Sequence, residues 1–460
     1  MTTTAFKSLP LSPAFLANLE SLDYKAMTPI QAQSLPAILN GRDVEAQAKT
    51  GSGKTAAFGI GLLHMLDAQN YQTQALVLCP TRELADQVSK EIRRLARAIP
   101  NTKILTLCGG APMGAQLASL EHQPHIVVGT PGRILKHLQK GSLKLSDLKT
   151  LVLDEGDRML DMGFHDDIMS IVKFMPVKRQ TLLFSATYPD EIKDISQAVQ
   201  KDPIDIRVES LHDDKKIKQV FYEIEKGDRT RTLIALLQHY RPESTVIFCN
   251  RKHQCKELAE ELWQQGFHAL ALHGDLEQKD RDQVLVQFSN KSSSILIATD
   301  VAARGLDIKD LSAVINFELS QDPEIHIHRI GRTGRAGKEG LALSLFMPSE
   351  ARKVTAIEEY QKNPVRIDPV STLKSRENFK LSPPMVTLCI SGGRKDKVRP
   401  GDILGALTAD KKIPGKQIGK IDLFNNVAYV AVERAIAKQA LKILSEGKIK
   451  GRKYRARKLR

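Results

Sequence analysis

No run of apolar residues in the chain approaches the ~18 needed to cross a bilayer, and residues 1–13 lack the basic flank and apolar core of a secretory leader. Cysteine is sparse and never closely paired. Cys79, Cys108, Cys249, Cys255 and Cys389 include no CxxC, which argues against both a disulfide framework and a zinc site. Cys79, Cys249 and Cys389 stand in apolar, strand-like runs, where a small buried thiol is the expected role. Neither coiled-coil heptads nor a long apolar stripe calls for an obligate protein partner. Membrane and secreted classes drop out, and a reducing cytoplasm is the expected location.

Acidic residues are scarce at one end only. Residues 381–460 hold 6 Asp and Glu against 19 Lys and Arg, a net +13 of the chain's +15. The first 380 residues therefore carry only +2. Positive charge gathered in one tail points to a polyanionic partner, nucleic acid first; a basic surface kept for solubility is the bland alternative. What remains is ordinary for a globular protein: 460 residues, 42% hydrophobic and 26% charged, enough for two or three domains.

Through the first ~360 residues, short β-branched runs alternate with longer amphipathic stretches such as 81–99 and 254–265. Strands are expected at 75–79, 103–107, 125–128, 150–153, 181–184, 245–249, 295–298, 313–316 and 341–345. The alternation predicts α/β domains with parallel sheets wrapped by helices. The polar stretch 201–219 is expected to separate domains 1–208 and 216–363, and the proline-bearing stretch 364–384 to be a linker. Residues 385–460 read as β-α-β-β-α-β, the order of small α+β RNA-recognition-like domains among others.

The strongest local signal follows Ala48: Lys49, Thr50, Gly51, Ser52, Gly53, Lys54 and Thr55. The glycines let successive N–H groups face an anion, Lys54 is suited to β- and γ-phosphates, and the Thr55 hydroxyl to Mg²⁺. A helix beginning at once adds its N-terminal dipole. Asp154 and Glu155 close the apolar run 151–153, the place for a carboxylate that holds Mg²⁺ through water and one that orients or deprotonates the attacking water.

With Gly156 and Asp157, that pair resembles the signature of the DEAD-box helicases, and further motifs of the family follow in order. Thr28, Pro29, Ile30 and Gln31, with Phe6 and Tyr24 upstream, resemble the adenine-reading motif. The stretch 80–85 with Arg82, the pair Gly109 and Gly110, and Thr130 to Arg133 resemble RNA-backbone motifs. Ser185, Ala186 and Thr187 resemble the motif coupling hydrolysis to unwinding. Phe248, Cys249 and Asn250, then Thr299 and Asp300 with 303–307, and finally 328–335 complete the series.

The resemblance implies two tandem RecA-like domains acting on ATP, Mg²⁺ and RNA. Arg332 and Arg335 would meet the γ-phosphate, Asp307 the ribose, and Gln31 the adenine edge. Tyr24 would either stack on the base or sit half-buried in the core. Arg82, Gly110, Thr130, Arg133 and Thr299 would hold one RNA strand by its backbone. Gly156 stands where the family has alanine, and is expected to loosen the backbone at Asp157 without changing the chemistry.

The tail stretches 399–407 and 418–422 resemble the DbpA subfamily. That implies a domain directed to a hairpin of 23S ribosomal RNA and a role in large-subunit precursor particles. Aromatics are few here: 426–432 offers only Tyr429 and 385–390 none, so base stacking on the sheet is expected to be minor. A phosphate-binding face is expected among Arg394, Lys395, Lys397, Arg399, Lys420, Lys448, Lys450, Arg452, Lys453, Arg455 and Arg457. Strand alternation through 453–457 would divide those charges between two faces. An RNA helicase is the leading reading. An RNA clamp that scarcely unwinds and a DNA translocase are the alternatives, and the intact catalytic set weighs against the clamp.

Overall fold

The computed structural model describes residues 4–48, 51–188, 190–208, 217–303, 311–334, 339–374, 381–409 and 413–459. The chain divides near residue 211 into two compact units.

The first unit is built on seven parallel strands: β1 (Val44–Gln47), β2 (Ala75–Leu78), β3 (Ile104–Leu107), β4 (Ile126–Gly129), β5 (Thr150–Asp154), β6 (Gln180–Ser185) and β7 (Ile204–Arg207). Their order is β3-β4-β2-β5-β6-β1-β7. Every residue of β2, β4, β5 and β6 is buried, because helices cover both faces; that is why these strands read as continuous apolar runs. Val77, Val152 and Phe184 face one core with Ile30, Phe58 and Ile92. Their neighbours Leu76, Leu151 and Leu183 face the other, with Ile134, Ile168 and Ile192. The motif residues follow the C-terminal ends of these strands, where parallel α/β sheets place their ligands. β7 lies inside the stretch expected to separate domains; it is an edge strand, buried only at Ile206 and half-buried at Ile204, so its apolar signal is weak.

The second unit carries six parallel strands, β8 (Ile217–Glu223), β9 (Thr245–Phe248), β10 (Ala269–Leu272), β11 (Ile295–Ala298), β12 (Ala313–Asn316) and β13 (Gly340–Phe346). They are ordered β10-β11-β9-β12-β13-β8. The stretch 364–384, over its described residues, is strapped along this sheet. The Phe221 amide donates to Arg366 O at 2.8 Å, the Asp368 amide donates to Phe221 O at 2.9 Å, and Val370, Leu373 and Leu381 pack on the core. This pairing covers the open edge of β8.

The tail follows the expected order: β14 (Met385–Ile390), helix Pro400–Thr408, β15 (Ile418–Leu423), β16 (Ala428–Glu433), helix Ala437–Glu446 and β17 (Ala456–Lys458). Its sheet is antiparallel, ordered β15-β16-β14-β17. Leu388, Ile390, Val430 and Val432 pack inward with Ile403, Leu407 and Leu444. The opposite face docks on helix Gln278–Ser289, where Cys389, Tyr429 and Leu459 enclose Val286. Thr387 Oγ1 meets Ser292 Oγ at 2.6 Å, and the Met385 amide donates to Lys291 O at 3.3 Å. All five cysteines are buried and free.

Candidate nucleotide and RNA sites

Helix Lys54–His64 begins directly after the phosphate-loop sequence. Gly51 (φ 84°) and Gly53 (φ 99°) hold the left-handed backbone that L side chains resist. A Cβ on Gly53 would lie 2.5 Å from Gln31 Nε2, so the loop and the expected adenine reader are in direct contact. Gln31 Nε2 donates to Gly53 O at 3.1 Å while its Oε1 accepts the Thr28 amide at 2.9 Å, capping helix Pro29–Leu39. Lys54 is buried and donates to Ala48 O at 2.8 Å. Lys49 and Thr50 lie outside the described residues.

Asp154 and Glu155 stand at the end of β5, 2% and 4% exposed. Burial pushes the Asp154 carboxyl up to about 7, against the pull of Lys54. Glu155 adopts φ 54°, ψ 54°, and its Oε2 accepts Arg158 Nη1 at 2.8 Å. A hydroxyl at Thr55 and a carboxylate at Asp154 form the kind of hard-oxygen set that suits Mg²⁺ completed by water and phosphate. Among the described residues there is no group of three or more His, Cys, Asp and Glu able to hold a metal alone.

Tyr24 is half-buried against the core, edge-on to Phe6 at 6.1 Å, with its hydroxyl bonded to Glu91. Asp157, expected to sit on a loosened backbone, is instead firmly held. Its Oδ2 accepts both the amide and the hydroxyl of Thr187, at 3.1 and 3.0 Å, and its amide donates to Ser185 Oγ at 3.1 Å. Burial would raise its pKa, but Lys54, Arg158 and these hydroxyls hold it below the ordinary carboxylate value. Helix Gly156–Asp161 starts here, and a Cβ on Gly156 would approach Leu183 Cδ1 to 2.9 Å and Ile192 Cδ1 to 3.1 Å.

The expected RNA contacts of the first domain are also brought together. Arg82 lies across Gly109 and Gly110, and a Cβ on Gly110 (φ 76°) would fall 1.8 Å from Arg82 Nη1. Thr130 precedes helix Pro131–Gln139, and Arg133 Nη1 donates to Ala111 O at 3.0 Å beside Gly110.

In the second domain Thr299 Oγ1 accepts the Ala302 amide at 3.3 Å, and Arg332, 9% exposed, follows helix Pro323–Ile330. Asp307 and Arg335 lie outside the described residues. Sequence reasoning missed the hub beneath these motifs. Arg329, 2% exposed, binds Asp300 at 2.7 and 2.6 Å, Asn250 Oδ1 at 3.0 Å, Asn316 Oδ1 at 3.2 Å and Glu318 O at 2.7 Å. One buried guanidinium thus ties three of the motifs together. Its only sequence signal was its place beside Arg332.

In the tail, Tyr429 is 2% exposed, edge-on to Phe424 at 5.3 Å and packed at the Val286 joint. The basic residues lie elsewhere. Arg394, Lys395, Arg399, Arg452, Lys453 and Arg455 are all exposed, on two loops that adjoin. The Ser391 amide donates to Arg455 O at 2.9 Å, the Arg455 amide to Ser391 Oγ at 3.0 Å, and Lys450 Nζ to Lys397 O at 3.0 Å. The expected alternation through 453–457 does not divide them, since β17 begins only at Ala456.

A phosphate loop, a buried carboxylate pair and paired parallel-sheet domains define a nucleotide-driven motor of the helicase kind. Residues 28–195 match the DEAD/DEAH box helicase family, 225–337 the helicase conserved C-terminal domain and 387–458 the DbpA RNA binding domain. The chain belongs to the DEAD-box ATP-dependent RNA helicases, and its tail makes it one of the DbpA type. It is 55% identical to the ATP-dependent RNA helicase DbpA of Escherichia coli over 458 residues, 99% of this chain and 100% of that protein. It is 43% identical to the DEAD-box ATP-dependent RNA helicase CshA of Geobacillus kaustophilus, over 78% of this chain and 77% of that one. Among solved structures, Saccharomyces cerevisiae Dbp5 bound to RNA and ADP BeF3 superposes with TM-score 0.73 at 29% identity, covering 80% of this chain and 96% of that one.

Proposed function

We propose that this RNA helicase is addressed by its C-terminal domain to a hairpin of 23S ribosomal RNA, and remodels RNA in large-subunit precursor particles in the cytoplasm. The observation that carries the reading is the basic surface formed by the two adjoining loops at 391–399 and 450–455, on a domain whose sheet face is already occupied. Arg394, Lys395, Arg399, Arg452, Lys453 and Arg455 meet phosphates there, and these contacts set register and orientation.

In the motor, Lys54 and the amides of Gly51, Ser52 and Gly53, with Lys49 and Thr50, hold the ATP phosphates. Gln31 reads the adenine edge, Tyr24 lies against the base, and Asp307 takes the ribose. Thr55 and Asp154 would hold Mg²⁺, which when bound neutralises phosphate charge. Glu155 orients the attacking water and takes its proton, while Arg332 and Arg335 stabilise charge on the transferring phosphoryl group. Arg82, Gly110, Thr130, Arg133 and Thr299 grip one RNA strand by its backbone, and Ser185 and Thr187 couple that grip to hydrolysis.

The test is steady-state ATP hydrolysis with equal amounts of 23S fragments and unrelated RNA. Stimulation concentrated in one hairpin-bearing fragment supports the address; equal stimulation by all RNAs removes it and leaves the helicase.

A further inference from the structure

Gln116 was not marked by any motif, yet it lies 6% exposed between two of the expected RNA-gripping loops. It sits on helix Met113–Leu120, which follows Gly109 and Gly110, and it faces helix Pro131–Gln139, which carries Arg133. Both ends of its amide are engaged. Nε2 donates to Cys108 O at 2.9 Å, and Oε1 accepts from Arg133 Nη1 at 2.7 Å and from His137 Nε2 at 2.9 Å.

These partners fix the orientation of the amide. A backbone carbonyl only accepts and a guanidinium only donates, so the Gln116 amide can point one way. Its oxygen then requires a proton on His137 Nε2. His137 is fully buried, with Nδ1 2.9 Å from Ser142 Oγ, and burial together with Arg133 and Lys140 lowers its pKa.

The arrangement has an electrostatic consequence. Among the described residues, the hydrogen-bond acceptors of Arg133 are neutral oxygens, Ala111 O and Gln116 Oε1. A carboxylate in the place of Gln116 would hold the guanidinium as well but would cancel its charge. A neutral amide aims Nη1 inward and leaves the full charge, with the Nε–Nη2 edge, for a phosphate.

We infer that Gln116, braced by His137, is a positioning residue that aims Arg133 and fixes the Gly109–Gly110 loop for the RNA backbone. The inference rests on the proposed contact between Arg133 and RNA. Gln116 acts through Arg133 and takes no part in nucleotide chemistry.

The experiment titrates RNA against the ATPase rate of the full chain at saturating ATP, with R133A, Q116M, the double variant, H137L and H137Q, each checked by thermal melting. R133A should raise the RNA concentration for half-stimulation by ~10-fold, the scale of a charged hydrogen bond, and Q116M by nearly as much. The double variant should match R133A alone, since both remove one contact. In Q116M, H137L and H137Q, ATP KM and the rate at saturating RNA should stay close to the parent's. H137L should weaken RNA as Q116M does, and H137Q, which restores a donor to Gln116, should recover it. If Q116M does not fold, the two His137 variants carry the same test. An unchanged half-stimulation in R133A would remove the RNA contact itself. A clear effect in R133A with none in Q116M or H137L, effects that multiply in the double variant, or a matching rise in ATP KM would overturn the positioning role.

Discussion

The Asp157 carboxylate accepts two hydrogen bonds from one residue, Thr187, through its amide at 3.1 Å and its hydroxyl at 3.0 Å. This clasp joins the helix that follows β5 to the loop after β6. Thr187→Val keeps the shape and the amide bond but removes the hydroxyl. Duplex unwinding per ATP hydrolysed should fall several-fold, with RNA-stimulated ATPase within about two-fold of the parent, because the net value of one hydroxyl bond to a charged group is ~1.5–3 kcal/mol. Parallel unwinding and ATPase assays check this; equal loss in both would make Thr187 catalytic and not coupling.

Glu155 and Arg158 form an ion pair with both side chains nearly sequestered from solvent. Removing the Arg158 guanidinium takes an ion-pair partner from a buried carboxylate, at a cost on the order of 3–5 kcal/mol. Arg158→Ala should therefore lower the denaturant midpoint sharply. Glu155→Gln keeps the shape and should still bind ATP and RNA, with hydrolysis slowed by ~10²-fold or more. Turnover at the parent rate in that variant would remove Glu155 from its assigned role.

The Tyr429 ring is spent on the joint with Val286, so it is not a platform for bases. Tyr429→Ala should destabilise the chain by ~3 kcal/mol as a core truncation, and Tyr429→Phe should leave RNA affinity untouched. Lys453→Gln should instead weaken RNA at all sequences and reduce the salt slope of binding by about 1. Equilibrium binding across a salt series separates the two.

His326 is buried, and burial with the nearby Arg329 pulls its pKa down to about 3 from 6.5. Its Nε2 faces Gln219 Oε1 and its Nδ1 faces Asn316 Nδ2, the pattern of a neutral ring. The unfolded chain takes up this proton first. The stability tied to the neutral ring is thus fully present above pH 6.5 and drains away as pH falls from 6.5 towards 3, at up to about 1.4 kcal/mol per pH unit. Melting curves at pH 4–7 should show a shallower acid slope in His326→Gln than in the parent.

Much of this was legible because the motor's strands are buried on both faces. Runs such as 150–153 then have no polar interruptions, and Asp154 announces their end. β1, next to the edge, and the edge strand β7 alternate apolar and polar residues over only four positions, too short to stand out. The phosphate-loop residues are adjacent in sequence and therefore visible. The Arg329 hub and the Gln116 amide are assembled from residues far apart, which no local pattern reveals. The proline-bearing stretch 364–384 reads as a linker because its apolar residues are scattered among prolines and charges; Val370, Leu373 and Leu381 each find the core individually. The docked face of the tail was invisible for the same reason: Thr387, Cys389 and Tyr429 read as plain strand residues until Val286 meets them.

Deleting the tail would expose Val286 and the Thr387 partners, so the address is better tested in the full chain with Arg394, Lys395, Arg452 and Lys453 all changed to Glu. The measurement is unwinding of a short duplex joined to the 23S hairpin, against the same duplex without it, for parent and variant. The account predicts that the parent favours the hairpin-bearing substrate by at least ~10-fold and that the variant unwinds both at the same low rate. A variant that keeps the parent's preference would place the address elsewhere on the protein and contradict the account.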